Sequence, residues 1–157
     1  MSVNKPVARS QQLIPLSHEH HEGLLFAWRV RQGLQKNVPL KTICEFINWF
    51  WKDHLEHHFQ DEEKNLVPYL PVDDELINKM IVEHEVIRKL LPGMSVRTQS
   101  EIALFAQLLH DHIRFEEREL FPHLEKNLTQ SELNEIASKL DHAAACSSKW
   151  NNEFWKD

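Results

Sequence analysis

A segment of fourteen residues occurs twice in this chain, and the repeat limits the possible folds more than any other feature. Residues 57–70 and 111–124 are identical at six positions, which hold a histidine, two glutamates, two leucines and a proline. In each copy the histidine and the first glutamate are four residues apart, so both side chains lie on one face of an α-helix. The pairs are His58 with Glu62 and His112 with Glu116. The repeat therefore predicts two related helical hairpins.

The composition favours helix over strand along nearly the whole chain. Only three glycines occur in 157 residues, and the seven prolines lie near expected helix ends. Ser17, Asp73 or Asp74, Thr98 with Glu101, and Thr129 with Glu132 are candidate N-terminal caps. With apolar residues at three- to four-residue spacing, they predict helices at about 17–36, 40–67, 74–91, 99–122 and 129–155.

These elements predict an all-α fold. Short connections between four long helices are typical of an up-down-up-down four-helix bundle. We expect a single domain over residues 1–157, with a core bundle at about 16–125. An N-terminal arm over residues 1–15 and a fifth, C-terminal helix at about 129–155 complete the prediction.

Charge and cysteine content exclude several classes of protein. The net charge of -6 is spread along the chain, so neither a nucleic-acid surface nor a basic membrane-binding patch is expected. The start of the chain lacks the apolar core of a signal peptide, and no apolar run reaches the roughly 20 residues of a membrane span. Cys44 and Cys146 form no CxxC pattern, which indicates reduced thiols. We expect a cytoplasmic protein with no membrane or nucleic-acid partner.

The eleven histidines suggest a metal site, because several of them align with apolar helix faces. Glu62 and Glu116 also lie on apolar stripes, where an unpaired carboxylate is costly. His84 lies in line with Ile77, Ile81 and Ile87, and His20 stands in the parallel position of the first helix. His18 and His21 are close enough to His20 to exchange with it after a small helix rotation. Four histidines and two glutamates are well explained by two ions of iron, manganese or zinc.

At these residues the chain resembles the hemerythrin family, also called the HHE cation-binding domain. The resemblance covers roughly residues 13–125 and rests on the stretch 16–21, the two repeated blocks, and Glu83-His84. It implies a hemerythrin-like bundle with two iron ions, Fe2+ or Fe3+, bridged by an oxo or hydroxo group. It also implies six metal ligands: His20, His58, Glu62, His84, His112 and Glu116.

One departure from the family bears on function. Oxygen-carrying members have HxxxH in the third helix, whereas here Arg88 stands four residues after His84. The remaining set of four histidines and two glutamates looks more like members that repair iron–sulfur clusters or report on iron and oxygen. The cysteine-bearing N-terminal domain of the repair proteins has no counterpart in this sequence.

Three hypotheses of function follow. The first is a non-catalytic di-iron protein that binds or senses oxygen, nitric oxide or iron, with a small diatomic molecule or peroxide as its ligand. The second is an enzyme whose di-iron centre acts on peroxide or nitric oxide, or which donates iron for cluster repair. The third is a structural bundle with adventitious zinc. The sequence names no protein partner.

Overall fold

The fold is all-helical, as predicted. A computed structural model describes residues 8–140 and 148–157, and these residues contain helices and turns but no strand. The α-helices are α1 (Ile14–Gln35), α2 (Leu40–Phe50), α3 (Glu56–Asn65), α4 (Glu75–Lys89), α5 (Gln99–Phe115), α6 (Phe121–Asn127) and α7 (Gln130–Lys139). Within the described ranges, none of the helices has both the length and the apolar character needed to cross a bilayer.

Local sequence signals account for most helix starts. Asp74 accepts hydrogen bonds from the backbone N–H groups of Leu76 and Ile77 at 3.1 and 3.0 Å, so it caps α4. The capping boxes predicted at Thr98 and Thr129 are both present. The predicted cap at Ser17 is wrong, because α1 already begins at Ile14 with a proline in its first turn. The N-terminal arm is therefore shorter than residues 1–15.

Two π-helical turns interrupt the long helices. Trp51–Leu55 joins α2 to α3, and Glu116–Leu120 joins α5 to α6. In the second turn the N–H of Phe121 donates to the carbonyl of Glu116, five residues earlier. Pro122 therefore lies in the first turn of α6, where its missing N–H is not needed, and the helix continues to Asn127. The prediction that Pro122 ends this helix is wrong.

The C-terminal helix is shorter than predicted. α7 ends at Lys139, and residues 148–157 are not helical. Residues 141–147 lie outside the described part of the chain. Phe154 and Trp155 both contact the ring of Phe46, with centroids 5.2 and 5.3 Å apart. Neighbouring side chains on a helix diverge by about 100°, so two adjacent residues reach one ring more easily from non-helical backbone.

The core consists of two apolar clusters with a polar layer between them. One cluster contains Phe26, Leu55, Ile87 and Leu109, and the other contains residues such as Leu16, Leu66, Met80 and Leu120. Each long helix contributes to both clusters and carries its buried polar residues between those contributions. α1 and α5 pack closely there, because a Cβ added to Gly23 would lie 2.7 Å from Ile113 Cδ1.

Candidate metal centre

The polar layer brings all six predicted site residues together. Each of these side chains is at most 4% exposed, although histidine and glutamate are rarely so deeply buried. They come from α1, α3, α4, α5 and the π turn after α5, and are His20, His58, Glu62, His84, His112 and Glu116.

These six residues form two overlapping groups of four. In each group, one nitrogen or oxygen atom from every residue lies within 4.8 Å of the others. One group adds His20 and His58 to the two glutamates, and the other adds His84 and His112. Glu62 and Glu116 belong to both groups. The arrangement is therefore that of two neighbouring cation sites joined by two shared carboxylates.

Distances within the groups show how the carboxylates face both sides. Glu62 Oε1 lies 3.1 Å from His58 Nε2 and 3.3 Å from His84 Nε2, one histidine from each group. Glu116 Oε2 lies 3.8 Å from His20 Nε2, while its Oε1 contacts His112 Nε2. Donors about 2 Å from a common ion are separated by no more than about 4 Å. The observed spacing satisfies that limit.

Several inward atoms lack a protein partner, which tests whether cations fit. Among residues 8–140 and 148–157, no hydrogen-bond partner serves Nε2 of His20 or His58, or either carboxylate oxygen of Glu62 or Glu116. Each unsatisfied buried polar group costs about 1–3 kcal/mol. The donor set is all imidazole and carboxylate, which suits iron, manganese or zinc. The residues present therefore fit a pair of such cations.

The opposite ring nitrogen of each histidine contacts a glutamate on a neighbouring segment. A carboxylate that accepts from Nδ1–H fixes the ring and leaves the Nε2 lone pair for a metal. The four contacts run from α1 to α3, α3 to α4, α4 to α5, and from the π turn after α5 back to α1, so they form a closed ring. They are Glu19 with His58 (3.3 Å), Glu63 with His84 (2.8 Å), Glu83 with His112 (2.9 Å) and Glu117 with His20 (3.1 Å).

Electrostatics bind protons to this layer when no cation is bound. Burial opposes the charged form of His58, but the carboxylates of Glu62 and Glu19 outweigh it and raise the pKa of His58 well above its ordinary value. Burial likewise opposes the charged form of His84, yet hydrogen bonds to glutamates raise its pKa to about 10. Glu116 has a pKa well below the usual range, because His112 and other partners outweigh the effect of burial. Cations would displace the histidine protons.

The structure separates the neighbouring histidines that the sequence left open. His20 points into the polar layer, whereas His18 and His21 are exposed. His54 lies in the π turn, 4.8 Å from the ring of Phe50, and belongs to neither four-residue group.

Sequence reasoning missed the supporting glutamates. Glu63 and Glu117 looked like solvated residues, yet each contacts a histidine of the layer. A usable signal existed, because all four supporting glutamates are sequence neighbours of a predicted ligand. A neighbour on a helix points about 100° away, toward an adjacent helix.

Comparison with known proteins identifies the family. Neither curated proteins nor solved structures gave a match to this chain. The family model described as the Hemerythrin HHE cation binding domain matches residues 11–124. The matched region contains both copies of the repeat and the whole polar layer. The chain therefore belongs to the hemerythrin HHE cation-binding family.

Proposed function

We propose that this protein binds two iron ions in the polar layer and uses them to bind or sense a small ligand, such as oxygen, nitric oxide or peroxide. The single observation that carries the proposal is the pair of four-residue groups that share Glu62 and Glu116. Buried Glu and His pairs on facing helices are how helical bundles hold two iron ions.

The donor count supports an open metal site. Each ion would receive two histidines and two shared carboxylates, so positions would remain for an exogenous ligand. Arg88 stands where oxygen carriers of the family have a further histidine, and its guanidinium donates to both oxygens of Glu63. A fifth histidine is therefore absent from the second group of described residues. This donor set favours sensing or iron handling over reversible oxygen carriage.

A cavity offers the ligand a place beside the first group. It has a volume of about 200 Å³ and is lined by His54 and Leu55 of the π turn, by Phe50, and by His58 itself. Residues of α1, including Glu19, form the facing wall. The volume is sufficient for a diatomic molecule or peroxide.

We also propose that the long helices form an up-down-up-down bundle within a single domain over residues 1–157. α1 packs against α2 and α5, α4 packs against α5, and the connections are short. Leu133 and Ile136 of α7 lie in the same cluster as Leu13 and Leu16, which supports one domain. The free, buried thiol of Cys44 fits a reducing compartment such as the cytoplasm.

Metal content tests the main proposal. Purified protein should be stripped of metal, reloaded with ferrous iron without oxygen, desalted and analysed for iron. We expect about two ions per chain and a coloured product after exposure to air, whereas a zinc-loaded sample stays colourless. One ion or none after reloading would contradict the di-iron proposal. Catalytic consumption of many equivalents of peroxide or nitric oxide would favour an enzyme over a sensor.

A further inference from the structure

An arginine supports the glutamate behind His20. Arg9, in the segment before α1, donates from Nη2 to Glu117 Oε2 at 2.9 Å and to the Glu117 carbonyl at 2.6 Å. The other oxygen of Glu117 accepts from His20 Nδ1 at 3.1 Å. The guanidinium, the carboxylate and the imidazole therefore form a continuous chain of contacts that ends at the first cation group.

A second arginine does the same at the other group. Arg88 Nη2 lies 3.0 and 2.8 Å from the two oxygens of Glu63, and Glu63 Oε2 lies 2.8 Å from His84 Nδ1. Neither arginine contacts a predicted metal ligand directly. Each acts on a histidine only through the intervening carboxylate.

A phenylalanine accompanies each chain of contacts. The ring of Phe121 stacks on His20 at 5.2 Å and carries the Arg9 guanidinium 5.2 Å from its centroid. The ring of Phe59 stacks on His84 at 3.9 Å and carries the guanidinium of Arg88 5.6 Å away. The same four-part arrangement thus occurs at both groups.

The two arrangements do not arise from equivalent sequence positions. Arg88 is four residues after His84 within α4, whereas the residue four after His20 is Leu24. Arg9 instead precedes its histidine and lies outside α1. Similar contacts assembled from unrelated positions point to a common requirement of both groups, since the internal repeat does not account for the arginines.

We propose that Arg9 and Arg88 are positioning residues for the two cations, and that the segment before α1 is therefore part of the metal site. This inference rests on the proposed two-ion site. Charge-assisted hydrogen bonds hold each carboxylate in place, and the carboxylate fixes the histidine with Nε2 inward. Without the arginine, Glu63 and Glu117, which are 30% and 23% exposed, can turn toward water.

The proposal makes the two groups unequal. Arg88 is fixed by its own helix, and it also pairs with Glu85 at 2.7 Å. Arg9 depends on the segment before α1, which is attached through Glu125 by Arg9 Nη1 and by the backbone N–H of Ser10. Loosening of that segment weakens the support of His20 and leaves the support of His84 intact. The ion held by His20 and His58 should therefore be released more easily.

Iron release to an excess of a ferrous chelator tests this proposal in the two-iron protein. In R9Q we expect one of the two ions to leave faster, by about 10- to 100-fold, as for other residues that orient metal ligands. R88Q should accelerate the other ion, and the double variant should accelerate both. R9K and R88K keep the charge and should restore part of the retention. R31Q is the matched control, because Arg31 is exposed and contacts Gln107 away from the layer.

Two further measurements separate positioning from general stability. E125Q removes an anchor of Arg9 without touching His20, so it should accelerate the same ion as R9Q by a smaller factor. Melting of the metal-free variants reports any loss of fold. Release at the R31Q rate, or equal acceleration of both ions by each arginine variant, would overturn the proposal. A wild-type protein that retains fewer than two ions would instead overturn the proposed function.

Discussion

Glu62 and Glu116 differ from the glutamates that follow them, although each pair is adjacent in sequence. Both side chains of the first pair have no exposed surface, and each belongs to both cation groups. Glu63 and Glu117 are partly exposed and contact a histidine from outside the layer. Two neighbouring carboxylates on one helix thus have separate roles, one toward the cations and one toward a histidine.

Alanine substitution should distinguish these roles. We expect Glu62→Ala and Glu116→Ala to leave the protein with fewer than two iron ions, because each removes a donor from both groups. Glu63→Ala and Glu117→Ala should retain two ions, with affinity lowered by about 10- to 100-fold. Iron analysis after equilibration with a weak chelator measures the difference. Equal losses in all four variants would show that the inward face of these helices has been assigned wrongly.

The placement of the six layer residues could be predicted from sequence because it depends on local geometry. Spacing of four residues sets which side chains share a helix face, and apolar neighbours set which face is buried. The supporting contacts of Arg9 and Arg88 could not be predicted in this way. They depend on which helices are adjacent and on how closely they approach, and Arg9 lies 108 residues from Glu117 in the chain.

At the scale of single elements, α4 begins with a cap that also contacts another helix. Asp74 Oδ1 accepts the two backbone hydrogen bonds at the start of α4, and its Oδ2 lies 2.7 Å from His123 Nε2 on α6. Burial raises the pKa of Asp74, but its hydrogen bonds to Ile77 and His123 lower it by more, so the pKa lies below its ordinary value. The ionised carboxylate is therefore the form that stabilises the folded chain.

We expect Asp74→Ala to lower the free energy of unfolding by about 0.5–2 kcal/mol at pH 7, as for other lost N-caps. The pKa is lowered on folding, so this contribution is complete above the unfolded value of about 4 and is lost as the pH falls through the folded value. Urea titrations at several pH values should show the difference from wild type narrowing below about pH 4. Asp73→Ala is the control, because its exposed neighbour position supplies no cap. A similar loss in both variants would contradict the assigned cap.

The helix starts at Asp74, Thr98 and Thr129 could be predicted because a cap is a local hydrogen bond between nearby residues. The π turns could not, since an i to i−5 turn leaves no distinct pattern of apolar residues. An uninterrupted helix would align His54 and Trp51 with His58, but the turn at Trp51–Leu55 changes their directions. Both side chains are only partly buried.

At the scale of the whole molecule, iron binding should stabilise the fold. Binding to the folded state alone adds about 2.7 kcal/mol when free metal is 100 times the dissociation constant. For a chain of this size that gain corresponds to a rise in melting temperature on the order of 5–10 °C. The rise should disappear in a His58→Ala, His112→Ala double variant, which lacks a histidine in each group. A wild-type melting temperature indifferent to iron and chelator at neutral pH would support a structural bundle instead.

The C-terminal residues stabilise the opposite part of the molecule from the second apolar cluster. Trp155 is 8% exposed, contacts Phe46 and carries the guanidinium of Arg29 4.4 Å from its ring centroid. We expect Trp155→Ala to lower the free energy of unfolding by about 3 kcal/mol without changing iron content. Trp28→Ala removes a tryptophan that is 48% exposed and should cost less than about 1 kcal/mol. Denaturant titration and iron analysis of both variants test this separation.

The closed ring of glutamate–histidine contacts also determines how a cation can leave. α1, α3 and α4 each supply one histidine and one supporting glutamate, and α5 with the π turn that follows it supplies the fourth pair. No segment stands at the end of this ring, so one helix moving away breaks two contacts at once, with two different neighbours. Exchange by opening of the bundle is therefore opposed twice at every seam. We expect cations to enter and leave by rotation of the partly exposed glutamates, with the helices remaining packed.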